Sequence, residues 1–245
     1  MKRLLKKVHR CFYLLSVIFF FVLLYPLLYF YSRKFERFPV LNKLRRLFAF
    51  STSFAAGFFY VFEYEKEIDW SGTYIICPNH ASILDISAIS VLVKSNFAFM
   101  GKDELLDNPI TGLFFRSVDI PVNRESKISS FRAFKRGEEY VKKGMSLVVF
   151  PEGTIADVYP PVLQSFKNGP FRLAIEQQIP VIPVTCLNLW KKMWDDGSKL
   201  GSSPGICDIR IHEPIETKGL TLDDIDSLRE KTYRIICSEL NKNAT

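Results

Sequence analysis

The chain opens with a long apolar run bordered by basic residues. From Cys11 to Ser32 there are 22 residues without a charged side chain, and as an α-helix they would extend about 33 Å, roughly the thickness of a bilayer hydrocarbon core. A secretory signal would have a shorter apolar run followed by small residues at a cleavage point, and neither feature is present. The pattern therefore predicts an apolar helical membrane anchor at the N-terminus.

A second, weaker apolar stretch covers residues 47–62 and is interrupted by three hydroxyl side chains and Gly57. Basic residues precede the first run and separate the two runs: Lys2, Arg3, Lys6, Lys7, Arg10, then Arg33, Lys34, Arg37, Lys43, Arg45 and Arg46. The positive-inside rule keeps both clusters in the cytoplasm, which one straight span cannot satisfy. We favour a one-sided anchor that bends at Pro26 and rests its cations on anionic headgroups. A two-span hairpin is the alternative.

After Trp70, short apolar runs alternate with helical patterns. Strand-like runs cover residues 73–77, 96–100, 119–122, 146–150, 181–185 and 206–212, and helix-like runs cover 81–94, 105–116, 126–143, 169–178 and 221–243. This alternation predicts an α/β domain with a largely parallel central sheet flanked by helices. We place the anchoring segment at residues 1–68 and the α/β domain at 69–245.

The positive charge of the chain is concentrated at its N-terminus. The chain carries 33 Lys and Arg against 26 Asp and Glu, a net charge of +7. Residues 1–46 alone hold 11 basic residues and one acidic residue, so the remaining chain is acidic overall and no nucleic-acid partner is expected. The five Cys and three His are too scattered for the spacing of a metal site, and we predict none.

Candidate chemistry follows the first strand of the α/β domain, in the run NHASILD at 79–85. On a regular helix His80 and Asp85 would lie about 140° apart. They can meet only if His80 sits on the strand-to-helix turn, which Pro78 favours by disfavouring helix before it. An imidazole oriented by a carboxylate can act as a general base for a hydroxyl nucleophile. The alternative is a surface His beside an Asp that favours the helix dipole.

Three further blocks follow. FPEGT at 150–154 places Glu152 and Gly153 at the carboxyl end of a strand, where α/β sheets bind ligands. IPVNR at 120–124 sets Arg124 just past another strand, and Arg is suited to bidentate binding of phosphate. IPVIPV at 179–184 reads as a strand punctuated by proline, for which we expect an edge position.

The four blocks, in this order, resemble those of the glycerolipid acyltransferases of the lysophosphatidate acyltransferase type, over roughly residues 71–190. The resemblance implies transfer of a fatty acyl group from a thioester of acyl carrier protein or coenzyme A to the hydroxyl of a lysophospholipid, with no other cofactor. It implies that His80 is the general base and that Asp85 orients it. Substrate binding would fall to these residues: Arg124 for the acceptor phosphate, and Glu152, Gly153 and Thr154 for the acceptor pocket.

This chain departs from the family pattern at two positions. Ile155 follows the FPEGT block where the family usually has Arg, and Val118 stands where the second block often begins with Gly. Lys102, Arg116 or Lys167 would replace the missing guanidinium. Alternatively, the acceptor is another lysolipid, such as an amino-acid-containing one, whose head group does not need that Arg.

Two expectations complete the sequence-based hypothesis. A helix N-terminal amide after His80, or Lys102, would stabilise the oxyanion of the transfer reaction. The enzyme would lie at the membrane with its catalytic domain on the cytoplasmic side. The competing functions are a membrane-tethered lipid-binding protein without turnover and an esterase that activates water with the same His and Asp.

Overall fold

The computed structural model describes residues 1–123 and 125–243. Two long helices come first, α1 (Lys2–Ser32) and α2 (Phe38–Ala55), and they pack against each other as a hairpin. Helix α1 continues through Pro26 as one element. It is the one helix in the described part of the chain that is long and apolar enough to cross a membrane.

A seven-stranded sheet follows the hairpin. Its strands are β1 (Phe58–Tyr64), β2 (Ile75–Pro78), β3 (Phe97–Lys102), β4 (Ile120–Val122), β5 (Ser146–Val149), β6 (Val181–Cys186) and β7 (Gly205–Ile211). The helices between and after them are α3 (Leu84–Leu92), α4 (Thr111–Phe115), α5 (Lys127–Lys142), α6 (Gly169–Gln177), α7 (Leu189–Lys192) and α8 (Ile225–Lys242). The strand order is β1-β7-β6-β2-β5-β3-β4, and every neighbouring pair is parallel except β6 and β7. The predicted α/β fold with a largely parallel sheet is confirmed.

The second apolar stretch, 47–62, does not form a second span. Its first part ends α2, and its last part is strand β1, which pairs with β7 along its whole length. Gly57 adopts a φ of +73° between the two elements, a conformation that glycine permits at no steric cost. The segment predicted as anchor, 1–68, therefore also supplies an edge strand of the sheet.

The edge position expected for the proline-punctuated strand is wrong, because β6 lies between β2 and β7 inside the sheet. β6 pairs with the chain at and after the end of β7 through Val181–Ile215 and Val184–Ile211. Between these pairs, the three residues 212–214 lie opposite the two residues 182–183 of β6. Such a bulge interrupts the ladder of backbone hydrogen bonds. It accommodates Pro183, which has no N–H to donate.

Candidate active site

His80 and Asp85 meet where β2 turns into α3. The Nδ1 of His80 lies 3.1 Å from Oδ2 of Asp85, which is fully buried in the first turn of the helix. The same oxygen accepts the backbone N–H of Ala81 at 2.8 Å and of Ser82 at 2.9 Å. Because an ionised carboxylate only accepts hydrogen bonds, Nδ1 carries the proton and Nε2 has the free lone pair.

An aromatic ring holds the other side of the imidazole. Phe150 stacks on His80 with ring centroids 4.1 Å apart and an interplanar angle of 22°. Phe150 in turn lies parallel to Phe99, at 6.3 Å. The imidazole therefore has its plane fixed by stacking and its rotation fixed by Asp85. The sequence placed Phe150 in the FPEGT block but gave it no role.

Glu152 supports the backbone of His80. Its Oε1 accepts the N–H of His80 at 2.7 Å, and its Oε2 accepts the N–H of Gln164, also at 2.7 Å. Burial raises the pKa of this carboxyl to about 7, against the lowering effect of the two backbone N–H groups. Glu152 is not among the side chains that line the cavity described next. It therefore acts on the site by tying the His80 turn to the loop around Gln164.

A cavity of about 480 Å³ opens beside His80. Most of its wall is aliphatic or aromatic, and includes Ile83, Ile86, Phe99, Met100, Leu105 and Phe114. The predicted residues Gly153, Thr154 and Lys102 also line it, as does Ile155. A cavity of this size with a largely apolar wall suits a hydrocarbon chain.

Arg45 was expected among the cations resting on headgroups, and that expectation is wrong. The structure buries it to 3% exposure in the wall of the cavity. Its Nη2 donates to Oδ1 of Asp119 at 2.9 Å, and that oxygen also accepts the N–H of Phe99 at 2.9 Å. Its guanidinium carbon lies 4.4 to 5.5 Å from the ring centroids of Phe97, Phe99 and Phe114.

The helix amides after His80 are not free to bind an oxyanion. Those of Ala81 and Ser82 donate to Asp85, and that of Ile83 donates to the carbonyl of Asp195 at 3.0 Å. The amide of Leu84 donates to the hydroxyl of Ser82. The expected helix-terminus oxyanion site is therefore wrong.

The other predicted cations differ in their placement. Lys102 lines the cavity. Arg116 is exposed and donates to the carbonyl of Leu106, and Lys167 is exposed outside the cavity lining. Arg124 lies outside the described residues. Among the described candidates to replace the missing guanidinium, Lys102 alone lines the cavity.

Comparisons with known proteins identify the family of this chain. Residues 60–187 match the family model described as Acyltransferase. The putative 1-acyl-sn-glycerol-3-phosphate acyltransferase acl-2 of Caenorhabditis elegans is 32% identical over 177 residues, which cover 69% of this chain and 60% of that protein. The 1-acyl-sn-glycerol-3-phosphate acyltransferase of Saccharomyces cerevisiae is 32% identical over 161 residues, which cover 64% and 52%. The alpha form of that enzyme in Mus musculus is 27% identical, and the match covers 64% of this chain and 55% of the mouse protein.

The matched region thus spans little more than half the length of these relatives. The similarity of fold covers more of the chain than the similarity of sequence does. The crystal structure of the 1-acyl-sn-glycerophosphate (LPA) acyltransferase PlsC from Thermotoga maritima superposes with a TM-score of 0.78, covering 99% of this chain and 97% of that chain at 22% identity. The family model covers half of this sequence. The relatives carry the name of the family that the four blocks of this sequence resemble. This chain belongs to the acyltransferase family.

Proposed function

We propose that this protein transfers a fatty acyl group from an acyl thioester to the free hydroxyl of lysophosphatidate, forming phosphatidate. The observation that carries the proposal is the His80–Asp85 pair, whose imidazole lines a largely apolar cavity. Nε2 of His80 takes the proton of the acceptor hydroxyl as its oxygen attacks the thioester carbonyl. The tetrahedral intermediate then collapses, and the thiolate leaves with a proton from the imidazolium.

Three further residues each have a part in this proposed mechanism. Asp85 keeps the proton on Nδ1 and stabilises the imidazolium that forms when Nε2 takes a proton. Lys102, in the cavity wall, is our candidate for the developing oxyanion. Arg124 is our candidate for the acceptor phosphate. The apolar wall receives the acyl chain, with acyl carrier protein or coenzyme A as the donor's carrier.

A one-sided membrane anchor fits the exposed face of α1. Its first two turns expose cations together with apolar side chains, and from Phe12 onward its outward side chains are mostly large and apolar: Phe12, Leu15, Ile18, Phe19, Val22, Leu23, Leu27 and Phe30. The other face packs on α2 and the domain, and Arg10 is tied to Asp196 at 3.1 Å. A helix apolar on one side and packed on the other is suited to lie within one leaflet. We place the catalytic domain on the cytoplasmic side.

A second acceptor class is favoured by the chemistry of the cavity wall. Ile155 lines the cavity where the family usually has Arg. Asp195 lines it as well, as does Asp157, whose carboxylate is paired with Lys199. This lining suits a lysolipid whose head group carries an ammonium, such as an amino-acid-containing lipid.

The test is acyl transfer by the purified full chain in detergent or vesicles. Lysophosphatidate and an amino-acid lysolipid are each supplied with acyl carrier protein and coenzyme A thioesters. We expect a diacyl product that disappears in a folded His80→Ala variant. Ile155→Arg should shift the preference toward the phosphate acceptor. Free fatty acid without diacyl product would instead indicate an esterase, and an active His80→Ala protein would refute the mechanism.

A further inference from the structure

A short loop beside the active-site cavity exposes neighbouring apolar side chains. Residues 158–166, with the sequence VYPPVLQSF, carry no charge. Val158, Tyr159 and Val162 are exposed to 50%, 54% and 57%. Exposed apolar side chains that cluster in this way mark a surface that another phase or molecule covers. We call residues 158–162 the apolar loop.

Both ends of the apolar loop belong to the active site. Before the loop, Thr154 and Asp157 line the cavity. After it, the N–H of Gln164 donates to Glu152 at 2.7 Å, and the same carboxyl group accepts the N–H of His80 at 2.7 Å. The position of the loop and the position of the general base are therefore linked through one buried carboxyl group.

The apolar loop is also joined to the first turns of α1. Tyr159 packs on Trp194, with ring centroids 5.4 Å apart. The segment that follows Trp194 binds α1, because the carbonyl and the carboxylate of Asp196 accept hydrogen bonds from Arg10 at 2.8 and 3.1 Å. The loop therefore stands beside the start of the helix that we propose as the membrane anchor.

The surroundings of the apolar loop favour a lipid surface as its partner. Tyr159 also packs on the half-buried Trp190, and Lys191 is exposed next to that ring. The neighbouring carboxylates of Asp157 and Asp196 are paired with cations. The first turns of α1 add exposed cations: Lys2, Arg3, Lys6 and Lys7. An apolar tip with Trp and cations around it matches a bilayer surface, where the tip enters the acyl region and the cations attract anionic headgroups.

Resting on the proposed membrane-bound acyl transfer, we propose that the apolar loop is a second membrane-inserting surface, which enters the same leaflet as α1. Two separate insertions, one by a helix and one by a loop, fix the orientation of the domain on the bilayer. Since Glu152 joins the loop to His80, insertion of the loop would hold the imidazole at a set depth beside the lipids that supply the acceptor.

The first experiment measures whether the loop contacts lipid. Cys11 is exposed on α1, Cys237 is half-buried and the other cysteines are buried, so a fluorophore can be placed at one position at a time in a Cys237→Ser background. The labelled positions are the native Cys11, and Val162→Cys or Phe131→Cys in chains that also carry Cys11→Ser. Phe131, on α5, is the matched exposed control. In vesicles of anionic lipid that carry nitroxide-labelled acyl chains, we expect quenching at 162 to match that at Cys11 and to exceed that at 131.

Quenching at 162 that is no stronger than at 131 overturns the proposal. If Val162→Cys does not fold, a label at Val158→Cys is judged by the same comparison. Strong quenching at Cys11 without quenching at 162 would leave the anchor in place and reject the loop, even if acyl carrier protein then shields the label. Because the comparison needs no turnover, it decides the loop also if acyl transfer, and with it the proposed function, fails.

A second experiment tests what the insertion does for catalysis. Val162→Asp should lower kcat/KM for lysophosphatidate in vesicles by about tenfold, as the loss of one buried valine predicts. It should leave kcat/KM for a short-chain, water-soluble acceptor unchanged, because that acceptor does not have to be reached in the bilayer. Phe131→Asp is the control and should change neither value. An equal loss with both acceptors would place the effect in the active site and contradict the membrane role of the loop.

Discussion

Replacing Asp85 by Asn separates the charge of this side chain from its hydrogen bonds. All three bonds end on one oxygen, Oδ2, which accepts from Nδ1 of His80 and from the N–H groups of Ala81 and Ser82. The other oxygen, Oδ1, has no hydrogen-bond partner within the described ranges. An Asn amide therefore fits with its oxygen at the place of Oδ2 and its nitrogen at the place of Oδ1. The variant keeps the turn and loses one negative charge.

The magnitude follows from the short distance between the two groups. Once His80 has taken the acceptor's proton, an imidazolium lies 3.1 Å from the carboxylate. At an effective dielectric constant of about 20, their attraction is about 5 kcal/mol. The amide dipole recovers part of it, so we expect a loss of about 3 kcal/mol from the transition state. This corresponds to a fall in kcat of about 100-fold.

The assay measures kcat of Asp85→Asn for acyl transfer from one chosen acyl donor. Thermal unfolding of the same preparation measures its stability. Removing a buried charge offsets burying an unpaired amide, and we expect stability to change by no more than about 2 kcal/mol. Asp85→Ala is the comparison, since it leaves the amides of Ala81 and Ser82 without an acceptor and should lose stability as well as activity. A folded Asp85→Asn protein with kcat within threefold of the wild type would refute the electrostatic role.

Three further predictions address other parts of the molecule. Burial raises the pKa of Glu152 from its ordinary 4.5 to about 7, so the folded state holds this proton more tightly, and the group's contribution to the free energy of unfolding falls by about 3 kcal/mol as the pH rises through that window. The free energy of unfolding, measured with urea at pH 5 and pH 8, should fall more in the wild type than in Glu152→Gln. An equal change in the two proteins would contradict this prediction. Arg45→Met leaves Asp119 buried without its cation and should lower the free energy of unfolding by about 3–5 kcal/mol, as chemical unfolding measures it. Lys43→Met, at an exposed position of the same helix, should change it little. Equal effects of the two substitutions would contradict a stabilising buried pair. Phe19→Glu on the exposed face of α1 should weaken binding to anionic vesicles at least about tenfold, while Phe131→Glu, equally exposed on α5, should not, and similar losses would argue against the anchor.

Local patterns were enough to predict the turn that brings His80 and Asp85 together. A β-rich run ending at Pro78, followed by a helical pattern, put His80 on the turn and Asp85 in the first helical turn, where the structure has them. The alternation of strand and helix patterns was likewise enough to predict the parallel sheet. Each connection between parallel strands contains a helix, so strand and helix patterns both occur in the sequence.

Contacts between distant segments were not readable in the same way. Arg45 lies in a run of cations, and its partner Asp119 is 74 residues away, so nothing local distinguishes it from a headgroup-binding residue. Strand β1 follows α2 with the same apolar composition, and only its pairing with β7 makes it a strand. Glu152 was noticed as part of a block, but its hydrogen bonds to two backbone amides depend on how the loops fold over it.

The hairpin of α1 and α2 joins the two parts of the proposed function. One face of α1 is exposed and apolar, and its other face packs on α2, which itself packs on α3, the helix that begins beside His80. Helix α2 also sends Arg45, Phe48 and Ala49 into the cavity wall. A helix that served only as a tether would need no such contacts. Because α2 both packs on α1 and completes the cavity, the proposed membrane-bound α1 would hold the proposed acyl cavity at a fixed position relative to the lipids that supply the acceptor.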